Sequence, residues 1–330
     1  METDPRPTGP GRAAGPETAG VDRSAMVFPG MGPQDFGSVG KFLLIDPEAA
    51  RLVAEASDVL DYDLFLRYRD SEADYAEPAQ VSFLVVCLTL AGWAEEHLGA
   101  DPAYCTGPSF GGKAAAVHSG ALGFRDAVWL TAQLARYEKE YFSREHPGVL
   151  TQSFARTAPE ALAEIRAELD ELGEWHEVSC ELDTDFVMLS LRAERLEWFQ
   201  QRIRSAGGLP LYTVDPPAHC RAFGPLRDRV EAELFPELTF TDPTVPVVAD
   251  QDGSVRTTAE GVRTMLLDGF VRTVRWPTVV RSLAERGVRE LHVCGPDSLF
   301  GRVPVVRDTF RVTPVDPRTA LSPRRRPVAV

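Results

Sequence analysis

The sequence has no apolar run long enough to cross a bilayer. Its longest, VSFLVVCLTLAGWA at 81–94, falls short of the roughly 20 residues a span needs and is broken by polar side chains, so it predicts a buried helix. Cysteine is scarce. The five present (Cys87, Cys105, Cys180, Cys220 and Cys294) are odd in number, scattered and never in C-x-x-C spacing, which argues against a disulfide framework and a zinc site and fits a reducing cytoplasm. Basic charge is in deficit, 35 Lys and Arg against 49 Asp and Glu for a net charge of -14, so a nucleic-acid partner is not expected. The one basic run, RRR at 324–326, reads as a solvated tail. Nor does a charged start lead into an apolar signal core: the first 25 residues are rich in Pro, Gly and Ala, read as a disordered leader, and give no reason to expect export.

What the chain does have is ordinary globular composition: 330 residues, 44% hydrophobic and 25% charged, enough for one large domain or two smaller ones. MVFPGMG at 26–32 reads as a short buried strand ending in a glycine-rich turn, and 47–60 and 78–98 as helices. PAYC supplies a strand, the segment around Ser109 a turn, 111–120 a helix and 124–142 an amphipathic helix. Strands feeding helices through short glycine-rich loops predict an α/β architecture with a parallel sheet. Between about 144 and 214 the order becomes strand, helix, strand, strand, helix, strand, the βαββαβ ferredoxin-like unit. The first style returns after it, with a strand in 242–250, helices near 258–270 and 277–286, and a strand at 289–295. The expected organisation is a disordered leader (1–25), a large α/β-hydrolase-like domain (26–143 and 215–316), an inserted small ferredoxin-like subdomain (144–214) and a C-terminal tail (317–330). A cleft between the two domains is the natural ligand site. No internal repeat is detected, and a monomer is expected.

Gly107, Pro108, Ser109, Phe110 and Gly111 form a G-x-S-x-G pattern, a common accident unless a strand precedes it and a helix follows at once; then the serine hydroxyl stands exposed at the strand's carboxyl end. A serine nucleophile needs a base. Of the six histidines, His97 and His146 fall at helix ends or linkers, His176 and His292 on strands, and His118 on the helix after Ser109, directed along it. His219 differs: it follows two prolines in an irregular segment, where the inserted unit hands back to the large domain. An oxyanion hole requires two backbone N–H groups; the amide of Phe110 is one candidate, and the FPGMG turn at 28–32 the other.

Taken in order, these segments resemble the malonyl-CoA:acyl carrier protein transacylase family. FPGMGPQ is similar to its FPGQGxQ opening, TGPSFGG to its GHSLGE elbow, and DPPAHCRAFGPLRDRV to the segment carrying its catalytic histidine; PTVPVVADQDG, VRTVRWPTVV and LHVCGP follow in the same order. The resemblance covers about residues 26–305. It implies ping-pong acyl transfer in which Ser109, activated by His219, becomes an acyl-serine, and the phosphopantetheine arm of a carrier protein collects the acyl group. No bound cofactor or metal is implied. It further implies that Met31, standing for a family glutamine, and Phe110 give the oxyanion-hole amides, and that a main-chain carbonyl near Gly269 steadies the histidine.

The departures carry information. Malonyl-transferring members hold the substrate carboxylate with an arginine on the helix after the elbow, and the ungapped count puts Leu134 there; Arg136, two residues on, faces away. A malonyl carboxylate against Leu134 is buried and unpaired, at a cost of several kcal/mol. Pro108 replaces the histidine of GHS, Gly112 the glutamate of SLGE, and Ala218 leaves room for a bulkier acyl group. The chain thus resembles the discrete transferases of macrolactam polyketide pathways, typified by the vicenistatin-pathway dipeptidyl transferase, which move an aminoacyl or dipeptidyl starter between carrier proteins. Carrier proteins are acidic, so local basic residues are needed for docking: Arg144, Arg156, Arg202, Arg204, Arg302 and Arg307 are the candidates. Two other functions use the same residues or the same fold: a hydrolase that releases the acyl-serine to water, and a non-catalytic docking subunit.

Overall fold

The computed structural model describes residues 23–33, 35–71 and 73–322; the first 22 residues of the expected leader and the basic run at 324–326 lie outside them. Among the described residues the strands are, in chain order, β1 (Arg23–Val27), β2 (Pro102–Thr106), β3 (Val149–Ala155), β4 (His176–Asp183), β5 (Phe186–Arg192) and β6 (Leu209–Val214). They continue with β7 (Val247–Val248), β8 (Val255–Arg256), β9 (Val274–Arg275), β10 (Val288–Cys294) and β11 (Arg311–Val315).

Six of them form one sheet in the order β11-β10-β1-β2-β7-β8, parallel throughout except for the terminal β7/β8 pair. Covered on both faces, its central strands need no polar alternation, which is why Ala25, Met26 and Val27 run buried in succession. The apolar helix Glu77–Leu98 has 22 residues and, contrary to the expectation from its apolar run, is long and apolar enough by length and composition to cross a bilayer; it packs behind this sheet with 67% of its apolar window buried, as a core helix does. Pro78 in its first turn and Gly99, left-handed at φ 67°, mark its two ends. The helix Pro47–Leu60 starts as its sequence dictates, with Pro47 at the first position and the Asp46 carboxylate accepting from the amides of Glu48 and Ala49.

The second sheet has the order β6-β3-β5-β4-β9. Its four strands from 149–214, with the helices Pro159–Glu171 and Leu196–Ser205, make the ferredoxin-like unit. Alternation along β3 and β5 sends Phe154, Val187, Leu189 and Leu191 to the helices Ile165, Leu169, Phe199 and Ile203 occupy. Thr151 and Ser190 fall on the other face, joined by a 2.8 Å hydroxyl–hydroxyl hydrogen bond.

Three boundaries move. β1 begins at Arg23 and so takes the last three residues of the expected leader, because Arg23–Val27 pairs with β10. The expected tail from 317 starts as a helix, Pro317–Leu321, capped by Asp316 and packed on the core through Ala320 and Leu321. And the small sheet gains a fifth strand from the large domain: β9 pairs parallel to β4 through Cys180 and Val274.

Candidate active site

β2 ends at Thr106, the helix Gly111–His118 begins five residues later, and Ser109 lies between them at φ 55°. That left-handed backbone is strained for a serine, costing of order 1–3 kcal/mol, and it lifts the hydroxyl off the strand end. The flanking glycines are there for space. A Cβ on Gly107 would sit 2.0 Å from the Gly111 carbonyl oxygen, and one on Gly111 2.0 Å from that of Phe28, at the end of β1. The elbow is thereby pressed against the FPGMG turn.

His219, also left-handed at φ 63°, brings its Nε2 to 2.8 Å from the Ser109 hydroxyl, and its Nδ1 lies 2.6 Å from the Gly269 carbonyl oxygen. Since a carbonyl only accepts, Nδ1 carries the proton and Nε2 presents its lone pair to the serine. Burial pushes the imidazole down to about 4, against a smaller upward pull from the Gly269 carbonyl, so it is neutral at pH 7. β4 holds both sides of this arrangement: the Ser179 hydroxyl donates to the Ala218 carbonyl at 2.9 Å, and Thr273, four residues past Gly269, donates to the Val178 carbonyl at 2.8 Å.

Asp250 was not singled out by motif. It stands two residues after β7, and its Oδ2 accepts the Ser109 amide at 2.7 Å, tying the strained elbow to the neighbouring strand end. Buried to 5% exposure, its carboxyl is pushed up to about 7 by desolvation, with the Ser109 amide acting against the shift.

Two cavities meet at this pair, sharing Met31, Ser109, Val214, Ala218 and His219. The larger, of about 170 Å³, runs into the large domain; the smaller, of about 60 Å³, opens between Leu299, Phe300 and the face of the small sheet that carries Thr151, Ser179 and Tyr212. Phe110 and Gly112 line the larger cavity, and the Gly269 carbonyl borders it. Leu134 does so too, on a helix face where Leu130, Leu134, Glu138 and Phe142 recur every four residues. Pro108 lines neither cavity. It is buried in the elbow, its carbonyl accepting the Gly111 amide, so its role at the pocket edge is corrected to a packing one. Arg136 is turned outward and paired bidentately with Glu77 at 2.7 Å.

The same cavity holds two charges that sequence reading passed over. Lys113, one helical turn beyond the elbow, places its Nζ 3.8 Å from the centre of the Phe110 ring, and Glu138 lies across the cavity wall on the next helix. Burial pushes the Lys113 ammonium down to about 8 and the Glu138 carboxyl up, each partly opposed by the other's charge. Among the described residues neither makes an ion pair or side-chain hydrogen bond.

The other histidines are elsewhere: His118 is packed against Phe28 near Glu95, His146 bonds Tyr141, and His176 lies against the Glu174 carbonyl. The six candidate docking arginines divide. Arg144 pairs with Glu140, Arg202 with Glu168, and Arg204 reaches Gln200 at 3.5 Å. Arg156, Arg302 and Arg307 are exposed and form no such side-chain contact among the described residues.

Comparison with known proteins agrees with the geometry. Residues 153–214 match the family model described as the VinK acyltransferase small domain. The chain is 29% identical over 310 residues to the malonyl CoA-acyl carrier protein transacylase of Salmonella typhimurium, covering 90% of this chain and 97% of that one. It is 28% identical over 305 residues to a part of the polyketide biosynthesis protein ThaF of Burkholderia thailandensis, 88% of this chain but 24% of that protein. Among solved structures, a malonyl-transacylase in complex with a type II PKS acyl-carrier protein superposes with a TM-score of 0.80 at 25% identity, covering 91% of this chain and 98% of that one. Over 90% of its length the chain is thus similar to malonyl CoA-acyl carrier protein transacylases, whose two-sheet α/β fold it shares, and within that length its small subdomain is similar to that of the VinK acyltransferase.

Proposed function

We propose that this chain is a discrete acyltransferase that moves a non-malonyl acyl group, an aminoacyl or dipeptidyl starter, between acyl carrier proteins of a polyketide pathway through an acyl-Ser109 intermediate. The observation that carries the reading is the Ser109–His219–Gly269 chain at the mouth of a cavity that Leu134 lines, the position that the resemblance to the family assigns to its arginine. The match of 153–214 to the VinK small domain supports the polyketide setting.

Neutral His219 takes the Ser109 proton at Nε2 as the hydroxyl oxygen attacks the thioester carbonyl. The Met31 and Phe110 amides face the resulting oxyanion; neither donates to a backbone carbonyl among the described residues. Collapse breaks the C–S bond, and the imidazolium returns its proton to the leaving phosphopantetheine thiolate. In the second half the acceptor's thiol gives its proton to Nε2 and its sulfur attacks the ester, which restores the Ser109 hydroxyl. The Gly269 carbonyl orients the ring without supplying a full counter-charge, so the imidazolium is short-lived and the resting base neutral. The smaller cavity, between the small sheet and Phe300, is the route for the phosphopantetheine arm.

Intact-mass measurement tests this. Incubation with aminoacyl-carrier protein adds one acyl group to the enzyme, Ser109→Ala adds none and lowers transfer by about 10³-fold or more, and malonyl-CoA gives no adduct. Efficient malonyl loading refutes the reading of Leu134. Loss of the adduct to water at equal rates with and without a second carrier protein makes the enzyme a hydrolase instead.

A further inference from the structure

A cavity built only to hold an acyl chain has no use for ionisable groups, because each costs several kcal/mol to desolvate without a partner. This one holds two of opposite sign. Glu138 interrupts an otherwise apolar stripe, Leu130, Leu134 and Phe142, at the position where the four-residue period calls for a hydrophobic side chain. Lys113 faces the same space from the elbow helix, seated over the Phe110 ring, whose π-face stabilises an ammonium. The two are close enough to influence each other's ionisation, yet they do not close to ion-pair distance, so a gap remains between them. A third group is unsatisfied: Gln251, 3% exposed and lining this cavity, gives its Nε2 to the Met265 carbonyl while its Oε1 has no donor among the described residues.

Resting on the acyltransferase reading, we propose that Glu138 and Lys113 are the residues that select the acyl group by its far end: the Glu138 carboxylate receives a terminal ammonium, and the Lys113 ammonium donates to a carbonyl oxygen of the chain. A group carrying both an amine and an amide or thioester carbonyl fills the gap with its own dipole matched to the pair's. A carboxylate-ended chain meets Lys113 attractively but Glu138 repulsively, so malonate is rejected by charge as well as by the loss of the arginine. A plain alkyl acyl group leaves both charges buried and unpaired.

The test compares transfer of one aminoacyl group, free and N-acetylated, on the same carrier protein. N-acetylation removes the cation and keeps the rest of the chain. The expected result is a kcat/KM for the free amine about 10–100-fold above that of the acetylated form, as for a hydrogen bond to a charged group. In Glu138→Gln that ratio falls to within about threefold of unity, and malonyl loading of Ser109, followed by intact mass, rises above the wild-type level. A wild-type ratio near one overturns the proposal even if Glu138→Gln does not fold, and so does a Glu138→Gln protein that keeps the wild-type ratio. The acyltransferase reading fails separately: if no thioester, acetylated or free, leaves an adduct on Ser109, that reading falls and this one with it, whereas equal adducts from both leave the acyltransferase standing and remove only the ammonium site.

Discussion

At the scale of single residues, two buried ionisable groups flank Ser109 and titrate in opposite directions. His219 is held below its ordinary value, at about 4, so its contribution to stability is complete above about pH 6.5 and is lost as pH falls toward 4. Asp250 is held above its ordinary value, at about 7, so its contribution is complete below about pH 3.8 and is lost as pH rises toward 7. Over the shared window the two slopes oppose each other. Asp250→Asn keeps an acceptor for the Ser109 amide and removes one of the slopes: the stability of wild type minus that of the variant, from urea unfolding at several pH values, falls by up to about 1.4 kcal/mol per pH unit between pH 4 and 7. A difference that does not change with pH contradicts the assignment. Asp252 and Arg272, which also act on this carboxyl, are unchanged in the variant and drop out of the comparison. The Ser109–His219 pair was legible in the sequence because the elbow and the proline-flanked histidine are local signals. Asp250 was not, since 141 residues separate it from the amide it binds. Lys113 and Glu138 were hidden for another reason: charges on a helix are ordinarily solvated, and only the packing of two helices shows these turned to a cavity.

At the scale of elements, the elbow depends on close backbone contact. Gly107→Ala and Gly111→Ala each place a methyl carbon 2.0 Å from a carbonyl oxygen, so the turn must open and the Met31 and Phe110 amides part. The expected loss in transfer is about 10²-fold or more, comparable to removing one oxyanion-hole donor. Gly112 is the control. Its added carbon would lie 3.4 Å from the Gly107 carbonyl and 3.6 Å from Leu266, ordinary contacts, and it sits within a helix. Gly112→Ala therefore folds and raises the melting temperature by about 1–3 °C, whereas a fall there would show that the elbow helix is as crowded as the turn. Long elements were readable from periodicity, as with Pro47–Leu60, whose proline and Asp46 cap announce its start. The two-residue strands β8 and β9 have no period to read, and the helix Gly224–Glu233 buries only Leu226 and Val230 and has no side-chain cap, so its sequence carries little helical signal.

At the scale of the whole molecule, the proposed function sets net charge against docking: a chain of net charge -14 would have to approach carrier proteins expected to be acidic. Arginines already paired offer little free field, which separates Arg144 and Arg202 from Arg156, Arg302 and Arg307. Of these, Arg302 follows Leu299 and Phe300 at the rim of the smaller cavity, and Arg156 closes β3. Reversal of Arg156 and Arg302 to Glu is expected to raise KM for the carrier protein about tenfold or more at low salt, with kcat for a free thioester unchanged and the difference shrinking as salt is added. Equal KM values before and after reversal would place docking elsewhere.

β4 reaches across to the Ala218 carbonyl, to Thr273 and to β9, so the segments that carry His219 and the Gly269 carbonyl it bonds are both anchored to the small sheet. Module exchange must follow that wiring. A chimera cut at 149 and 214, the edges of the small subdomain, would import a foreign β4 against native partners on either side of His219 and Gly269. A graft of 149–222 that also carries 271–276 keeps β4 with its partners at Ala218, Arg221, Ala222 and Thr273, and on the proposed function it is the exchange that leaves the Ser109–His219 contact seated on its own small sheet.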